Sequence, residues 1–422
     1  MKLTPLSKII LILLVLGAAV GGYRYWKQSK GSILTASGGT GMNGNAGLGA
    51  SDGGIPPASD SNNDSNNDPN RNSNGNQGGD NGAQNSQGEL QFVTSASKKG
   101  WIVQQIDRYN SLPTTKMPVV LKSVETREAM QKILAGGLKP ALWSPSSVIW
   151  ADRLSQAYKG QTILDTGDND SYRVILRTPL VFLTTKSKAK FLRPLLGSAN
   201  CWTNIRNLSS GKIKVPYGNF KWAHADPLNA NSGMLALALI LADYAEKSGQ
   251  GGSIERLANS GAFIDYLKAV ERKIVYNAAV EKGSSALVKS FAEDPSRYDF
   301  IVAYESNALE EVAKNPDLAV IYPTPTANAE SAVAVLDGPW LSGAQKAGAR
   351  DFLKFLAGPQ AAKDALQENF RPVRGASLDD KIAQNSESGF RQSYSSIELP
   401  PYAALNAAAF KWRVEIAKKS PN

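Results

Sequence analysis

Asp226-Pro227-Leu228-Asn229-Ala230-Asn231-Ser232-Gly233 concentrates the side chains best able to do chemistry, and the apolar run Met234 to Leu241 follows at once. Asp, Asn and Ser bond nearby backbone N–H groups, so the segment reads as a polar turn that starts a helix. A helix N-terminus leaves backbone donors unpaired and carries partial positive charge, which suits a ligand with negative oxygens. An ordinary capped helix with no ligand fits the same residues. Two further turns, one with Ser95 and Ser97 and one with Ser146 and Ser147, add hydroxyls. His224, the only histidine, lies two residues before Asp226, and a cleft serine would complete a nucleophilic triad by composition. No serine sits on a strained elbow, so a structural histidine is the better reading and no catalytic residue is assigned.

These turns need elements to position them. Leu90 to Val93 reads as a strand, Trp101, Ile102, Ile106 and Tyr109 recur at helical spacing, and Val119 to Leu121 is a second strand. Glu125 to Leu134 is a helix that Gly136-Gly137 ends, and Ala141-Leu142-Trp143 is a third strand running into the Ser146 turn. Strand, polar turn and helix in alternation predict a parallel sheet with covering helices. Ligands of such sheets collect at the carboxyl ends of strands, where these turns fall. The β-rich segment Arg173 to Thr184 interrupts the pattern, which restarts with the strand Phe220 to Ala223 and the Asp226 turn. Tyr298 to Tyr304 is a buried strand leading into Glu305-Ser306-Asn307-Ala308, and Ser331 to Leu336 is a second crossing segment. The fold class is therefore α/β, with two lobes joined by two β crossings and a cleft between them. Trp143, Trp150, Trp222 and Trp340 read as core packing, and Lys98 and Lys99 as solvent-facing.

Residues 90 to 375 resemble the bacterial extracellular solute-binding proteins with the two-lobed type 2 periplasmic-binding-protein fold. The likeness is greatest to the molybdate- and sulfate-like anion-binding group, including binding domains fused to von Willebrand A domains. It is carried by Val93-Thr94-Ser95-Ala96-Ser97-Lys98-Lys99, Trp143-Ser144-Pro145-Ser146-Ser147, Arg177-Thr178-Pro179-Leu180-Val181 and the Asp226 turn. Ala303-Tyr304-Glu305-Ser306-Asn307-Ala308, Gly338-Pro339-Trp340 and Phe370-Arg371-Pro372-Val373 extend it in the same order. The resemblance implies a ligand site made by Ser95, Ser97, Ser146, Ser147, Asn231, Ser232, Gly233, Tyr304 and Glu305. It implies capture of a small ligand, an oxyanion ahead of other classes, for an ABC permease or a membrane sensor. A bare carboxylate repels an anion. The sulfate-binding group carries a similar aromatic-Glu step, so Glu305 is compatible with an oxyanion; a lobe contact or a cationic ligand are the alternatives.

The N-terminal part is of another kind. Lys2 and Lys8 precede the apolar run Ile9 to Tyr23, which Arg24, Tyr25, Trp26 and Lys27 close, so residues 1–30 read as an uncleaved signal anchor and transmembrane helix. Residues 31–88 are Gly, Asn, Ser and Asp with few large apolar side chains, the composition of a disordered linker. As a flexible coil it would span on the order of 40 Å. Residues 89–422 form the binding domain, with lobe 1 over about 89–178 and 330–422 and lobe 2 over about 179–329. The expected location is the cell membrane, single-pass, with this domain extracytoplasmic. The formal net charge is +10, and the folded part is basic. No basic run interleaves with aromatics, so nucleic acid is not an expected partner. Cys201 and His224 are the only residues of their types, which excludes an intramolecular disulfide and leaves no metal or cofactor expected. The added helix near Tyr402 to Ile416 would cap the first lobe or bind a partner. An envelope scaffold with a degenerate cleft is the competing reading.

Overall fold

The structure, a computed structural model, describes residues 88–156, 158–249, 253–379 and 387–417. The anchor and nearly all of the linker read from the sequence lie outside them. Among the described residues no helix is long and apolar enough to cross a membrane.

The first half alternates β1 (Leu90–Thr94), α1 (Lys99–Asn110), β2 (Val119–Ser123), α2 (Thr126–Ala135), β3 (Leu142–Ser144) and α3 (Val148–Ser155). β1 pairs in parallel with both β2 and β3. The chain then leaves along β4 (Tyr172–Thr185). The second half holds α4 (Lys186–Leu196), α5 (Cys201–Ser210), β5 (Trp222–Ala223), α6 (Asn231–Ser248), α7 (Ile254–Asn259) and α8 (Gly261–Val270). It continues through α9 (Ala278–Lys282), α10 (Ser284–Glu293), β6 (Phe300–Tyr304), α11 (Glu305–Lys314) and β7 (Leu318–Ile321). β8 (Asn328–Val335) returns the chain to the first half, where α12 (Gly343–Leu356), α13 (Pro359–Gln367) and β9 (Arg371–Pro372) follow. The last helix is α14 (Tyr402–Glu415).

The sheet order is β2-β1-β3-β8-β4-β6-β5, with β7 and β9 also on β4. The alternation predicts parallel pairing throughout; the sheet is mixed. β3 with β8, and β4 with β6, β7, β8 and β9, are antiparallel. The reason is topological. A chain that crosses to a second half and returns lays its two crossing strands in opposite directions, and local apolar patterning carries no record of that.

β4 changes partners in mid-course. Tyr172 to Pro179 pair with β8, while Leu180 to Leu183 pair with β6. Pro179 sits at the switch, where its missing N–H costs no ladder bond. The Thr178 hydroxyl accepts the Ser306 backbone N–H (3.1 Å), which ties the crossing to the first turn of α11. Leu180, Val181, Phe182 and Leu183 are buried on both faces. Their burial contributes roughly 1.5–3 kcal/mol per side chain. One apolar cluster runs through both halves, joining Trp143 and Trp150 to Trp222, the α6 residues Met234 to Leu241 and Trp412 of α14.

α6 begins under close contact. A Cβ at Gly233 would overlap the Ala225 carbonyl oxygen and come within 2.9 Å of the Pro227 nitrogen. Only glycine lets the first turn of α6 approach that loop. Gly233→Ala is expected to cost about 1–3 kcal/mol of stability through overpacking, read as a lowered urea midpoint with an unchanged slope.

Candidate functional site

The polar turns meet where the halves face each other. Ser95, Ser97, Glu125 and Ser146 from the first half and Asn231, Ser284 and Tyr304 from the second line a cavity of about 240 Å³. A second cavity of about 320 Å³ shares Ala96, Ser97 and Ser285 with it and extends past Lys98, Asn307 and Glu368. A larger hollow of about 520 Å³, with Tyr172, Arg173, Leu356 and Arg374 on its walls, is built from β4 and the loop before it, the residues after β9 and the α12–α13 corner. It gathers no polar groups from the second half.

Helix ends give the cavity between the halves its character. Glu125 is the N-cap of α2, Asn231 and Ser284 are the first residues of α6 and α10, and Tyr304 is the N-cap of α11. None of these four helices is capped by its own N-cap side chain, although the Thr178 hydroxyl takes the Ser306 N–H in the first turn of α11. Each end leaves backbone N–H donors open and contributes about half a positive charge. Four such ends at one cavity favour negative oxygens there.

The hydroxyls and amides are held in a network. Ser95 Oγ lies 2.9 Å from Ser146 Oγ and 3.1 Å from Ser97 Oγ. Thr126 Oγ1 donates to Ser146 Oγ (3.0 Å) and accepts the Ser146 backbone N–H (3.2 Å). Asn231 spans the halves: its Nδ2 donates to the Ser146 carbonyl (3.2 Å) and to the Tyr304 hydroxyl (3.0 Å), and its Oδ1 accepts from Trp150 Nε1 (2.7 Å). Both amide protons of Asn231 are thus used, so a ligand meets its backbone rather than its side chain.

Five of the nine site residues expected from the sequence line the cavity: Ser95, Ser97, Ser146, Asn231 and Tyr304. Ser232 stands behind it, with its Oγ 2.6 Å from Ser284 Oγ. Gly233 serves the close approach described above. Ser147 is the N-cap of α3, and its buried hydroxyl has no partner among the described residues.

Glu305 lies apart from the cavity lining. Arg371 grips its carboxylate with Nε on Oε1 (2.7 Å) and Nη2 on Oε2 (2.6 Å), and the Tyr322 hydroxyl donates to Oε2. All three are buried. Burial lowers the Arg371 guanidinium's affinity for its proton, but the hydrogen bonds and charge of Glu305 win and hold it above its ordinary value. The pair joins the α11 corner to β9, so this carboxylate fastens one half to the other.

Sequence reasoning missed Glu125, Thr126, Ser284 and Ser285. The signal for the last two was present in Gly283-Ser284-Ser285 ahead of an apolar helix. Gly283 has φ of +109°, a conformation that favours glycine. Lys98 also differs from expectation. It is 3 % exposed, and its Nζ donates to the carbonyls of Ser144 (3.1 Å) and Pro145 (3.0 Å), binding the two serine turns together. Burial brings its ammonium down to about 7, against an opposing pull from Glu125.

His224 is buried and structural. Nδ1 faces the Ala225 carbonyl (2.8 Å) and Nε2 faces Glu271 Oε1 (3.1 Å). Burial disfavours its charge, but Glu271 and that carbonyl raise its pKa overall. Two acceptors at two ring nitrogens call for the imidazolium. No serine hydroxyl engages the ring among the described residues, so the triad read by composition does not assemble.

Two outcomes test this arrangement. Removing one partner of the buried pair, as in Arg371→Met, should cost about 3–5 kcal/mol, and Arg371→Met with Glu305→Leu should recover most of it in urea unfolding. The second concerns Lys98, whose folded pKa lies below its unfolded value of 10.5. From pH 7 to 10 the unfolded chain then binds more protons, so this group makes stability rise with pH. Lys98→Met should flatten that rise in melting temperature between pH 7 and 9.

Residues 90–369 match the family model described as bacterial extracellular solute-binding protein. No curated protein matches the chain by sequence. Among solved structures, it resembles the sulfate-binding protein of Mycobacterium tuberculosis, with 16% identity and a TM-score of 0.50 over 78% of this chain and 99% of that one. It resembles the ferric binding protein of Campylobacter jejuni, with 12% identity and a TM-score of 0.53 over 79% and 99%. A spermidine/putrescine ABC transporter protein of Listeria monocytogenes is similar at 13% identity, with a TM-score of 0.52 over 77% and 99%. These likenesses establish the two-lobed periplasmic-binding-protein fold. Family and neighbours are substrate-binding proteins and not enzymes. With its mixed sheet, double crossing and polar cavity between the halves, the chain belongs to the bacterial extracellular solute-binding proteins, which bind small ligands outside the cytoplasm and deliver them to ABC permeases.

Proposed function

We propose that this protein captures a small oxyanion between its lobes and is held at the membrane by residues 1–30. The observation that supports the ligand class is the meeting of four helix N-termini at one cavity, three of them with no side chain on their first-turn donors. Backbone donors at helix ends bind negative oxygens, and Lys282 on the same lining adds a full positive charge. The hydroxyls of Ser95, Ser97, Ser146 and Ser284 supply directed bonds around them. Glu125 also borders the cavity, and burial raises its pKa. A carboxylate accepts a hydrogen bond from a protonated ligand oxygen and repels an ionised one, so this position favours partly protonated oxyanions over fully ionised ones.

The neighbours differ in cargo. One is named for sulfate, one for ferric ion and one for polyamines. The helix ends argue for the first of these chemistries here. With lobe bounds near residues 178 and 330, the crossing would fall at Pro179, and closure about it would bring the two sets of donors onto the ligand. Delivery to an ABC permease or report to a membrane sensor would then follow from the closed form.

The test is a thermal-shift series on the full chain with sulfate, molybdate, phosphate, ferric citrate, spermidine and a sugar phosphate. An oxyanion should raise the melting temperature with concentration, since ligand at about 100 times Kd stabilises by about 2.7 kcal/mol. Ser95→Ala and Ser284→Ala should each weaken that ligand about tenfold, the equivalent of 1.4 kcal/mol. A response to spermidine alone would overturn the oxyanion reading, and no response to any solute would favour the scaffold reading.

A further inference from the structure

α14 follows the region matched by the family model and lies against both halves of the molecule. Its contacts divide by length. The C-terminal part is fixed to the second half: Trp412 Nε1 donates to Glu271 Oε2, and Arg413 pairs with Asp226. Lys411 Nζ donates to the Asn259 carbonyl (2.6 Å), and Glu415 pairs with Lys268 (2.9 Å). Trp412 is fully buried, and Glu271 carries His224 on its other oxygen. An anchor of this depth does not slide.

The N-terminal part meets the first half. Arg127 of α2 donates from Nη2 to Asn406 Oδ1 (2.6 Å), and its guanidinium stands 5.5 Å from the Phe410 ring centre. Trp150 of α3 meets Tyr402 edge to face at 5.4 Å, and the Arg153 guanidinium lies 5.8 Å from the Tyr402 ring centre. Trp150 is the residue whose indole N–H reaches Asn231 at the cavity. The helix therefore spans the seam between the halves, beside the cavity.

We propose that α14 is a strap that holds the two lobes together before any ligand arrives. Each contact to the first half is modest: one charge-assisted hydrogen bond, two cation–π contacts and one edge-to-face ring pair. Together they oppose opening, because separating the lobes breaks them while the Trp412 anchor keeps the helix in place. A protein already biased toward its closed form loses less affinity to the closing step. The strap is independent of which solute the cavity takes, since none of its contacts touches the cavity except through Trp150.

Opening is measurable without ligand. Lys99 and Lys289 are exposed, Lys289 borders the cleft from the second half, and Lys99 adjoins its first-half wall at Lys98. Nitroxide labels at Lys99→Cys and Lys289→Cys in the full chain report the gap by pulsed electron resonance. Cys201, buried and with its thiol pKa raised well above the ordinary value, should stay unlabelled. The otherwise unaltered chain should show one short distance. Adding Tyr402→Ala with Asn406→Ala should shift the population to longer distances, with the Trp412 anchor intact and the melting temperature little changed. Asn406→Asp, which gives Arg127 a full charge partner, should keep or sharpen the short distance. Arg127→Ala alone should lengthen it, and this single change decides the matter should the double variant fold poorly. A long distance in the unaltered chain, or a distribution that Arg127→Ala and the double variant leave unmoved, overturns the proposal.

Discussion

A strand shared by two sheets governs this molecule. β4 supplies hydrogen bonds to β8 over its first part and to β6 and β7 over its second. Neither half can complete its sheet without it, and one apolar cluster joins helices of both, so the halves fold as one unit. The switch at Pro179 puts a residue without an N–H where the partner changes. Thr178 and Ser306 then join the crossing to α11, whose N-terminus borders the cavity. The strand crossing and the cavity are consequently made from neighbouring residues.

Electrostatics at the seam sort into two kinds. Full charges are neutralised away from the cavity: Glu305 by Arg371, and Asp226 by Arg413. A buried unpaired charge costs several kcal/mol, so each must find its partner. What faces the cavity is largely partial charge, from helix ends and hydroxyls, with the full charges of Glu125 and Lys282 also on its lining. Partial charges fixed by the backbone need no counter-ion in the empty state and are already oriented when a ligand enters. That division explains why a glutamate placed by resemblance in the binding set serves as a fastener between halves.

The histidine illustrates a related economy of roles. His224, Glu271 and Trp412 form one buried chain of hydrogen bonds. The only histidine in the chain thus supports the C-terminal helix rather than any reaction. Lys98 acts similarly, since its two carbonyl bonds join turns that carry Ser95 and Ser146. Polar residues that look reactive in isolation are here the means by which loops are held in register.

Periodicity and turn chemistry made much of the fold legible. The strands at Leu90, Val119 and Leu142, the crossing near Thr178-Pro179, the buried strand before Glu305 and the last helix follow from local apolar spacing and from residues that favour turns. Four cavity residues, Ser95, Ser97, Ser146 and Asn231, were legible for the same reason, because short polar side chains cluster where strands give way to helices; Tyr304 followed from the family resemblance. The antiparallel crossings, the burial of Lys98, the pairing of Glu305 with Arg371 and the lining by Glu125 and Ser284 were not. Each depends on residues far apart in the chain meeting across a seam, and a partner's distance in sequence leaves no periodic trace. The sequence by itself determined which segments become strands, helices and polar turns; tertiary structure alone decided which turns share a cavity and which charges neutralise one another. The physical reason is that propensity is local, whereas burial and charge pairing belong to the assembled chain.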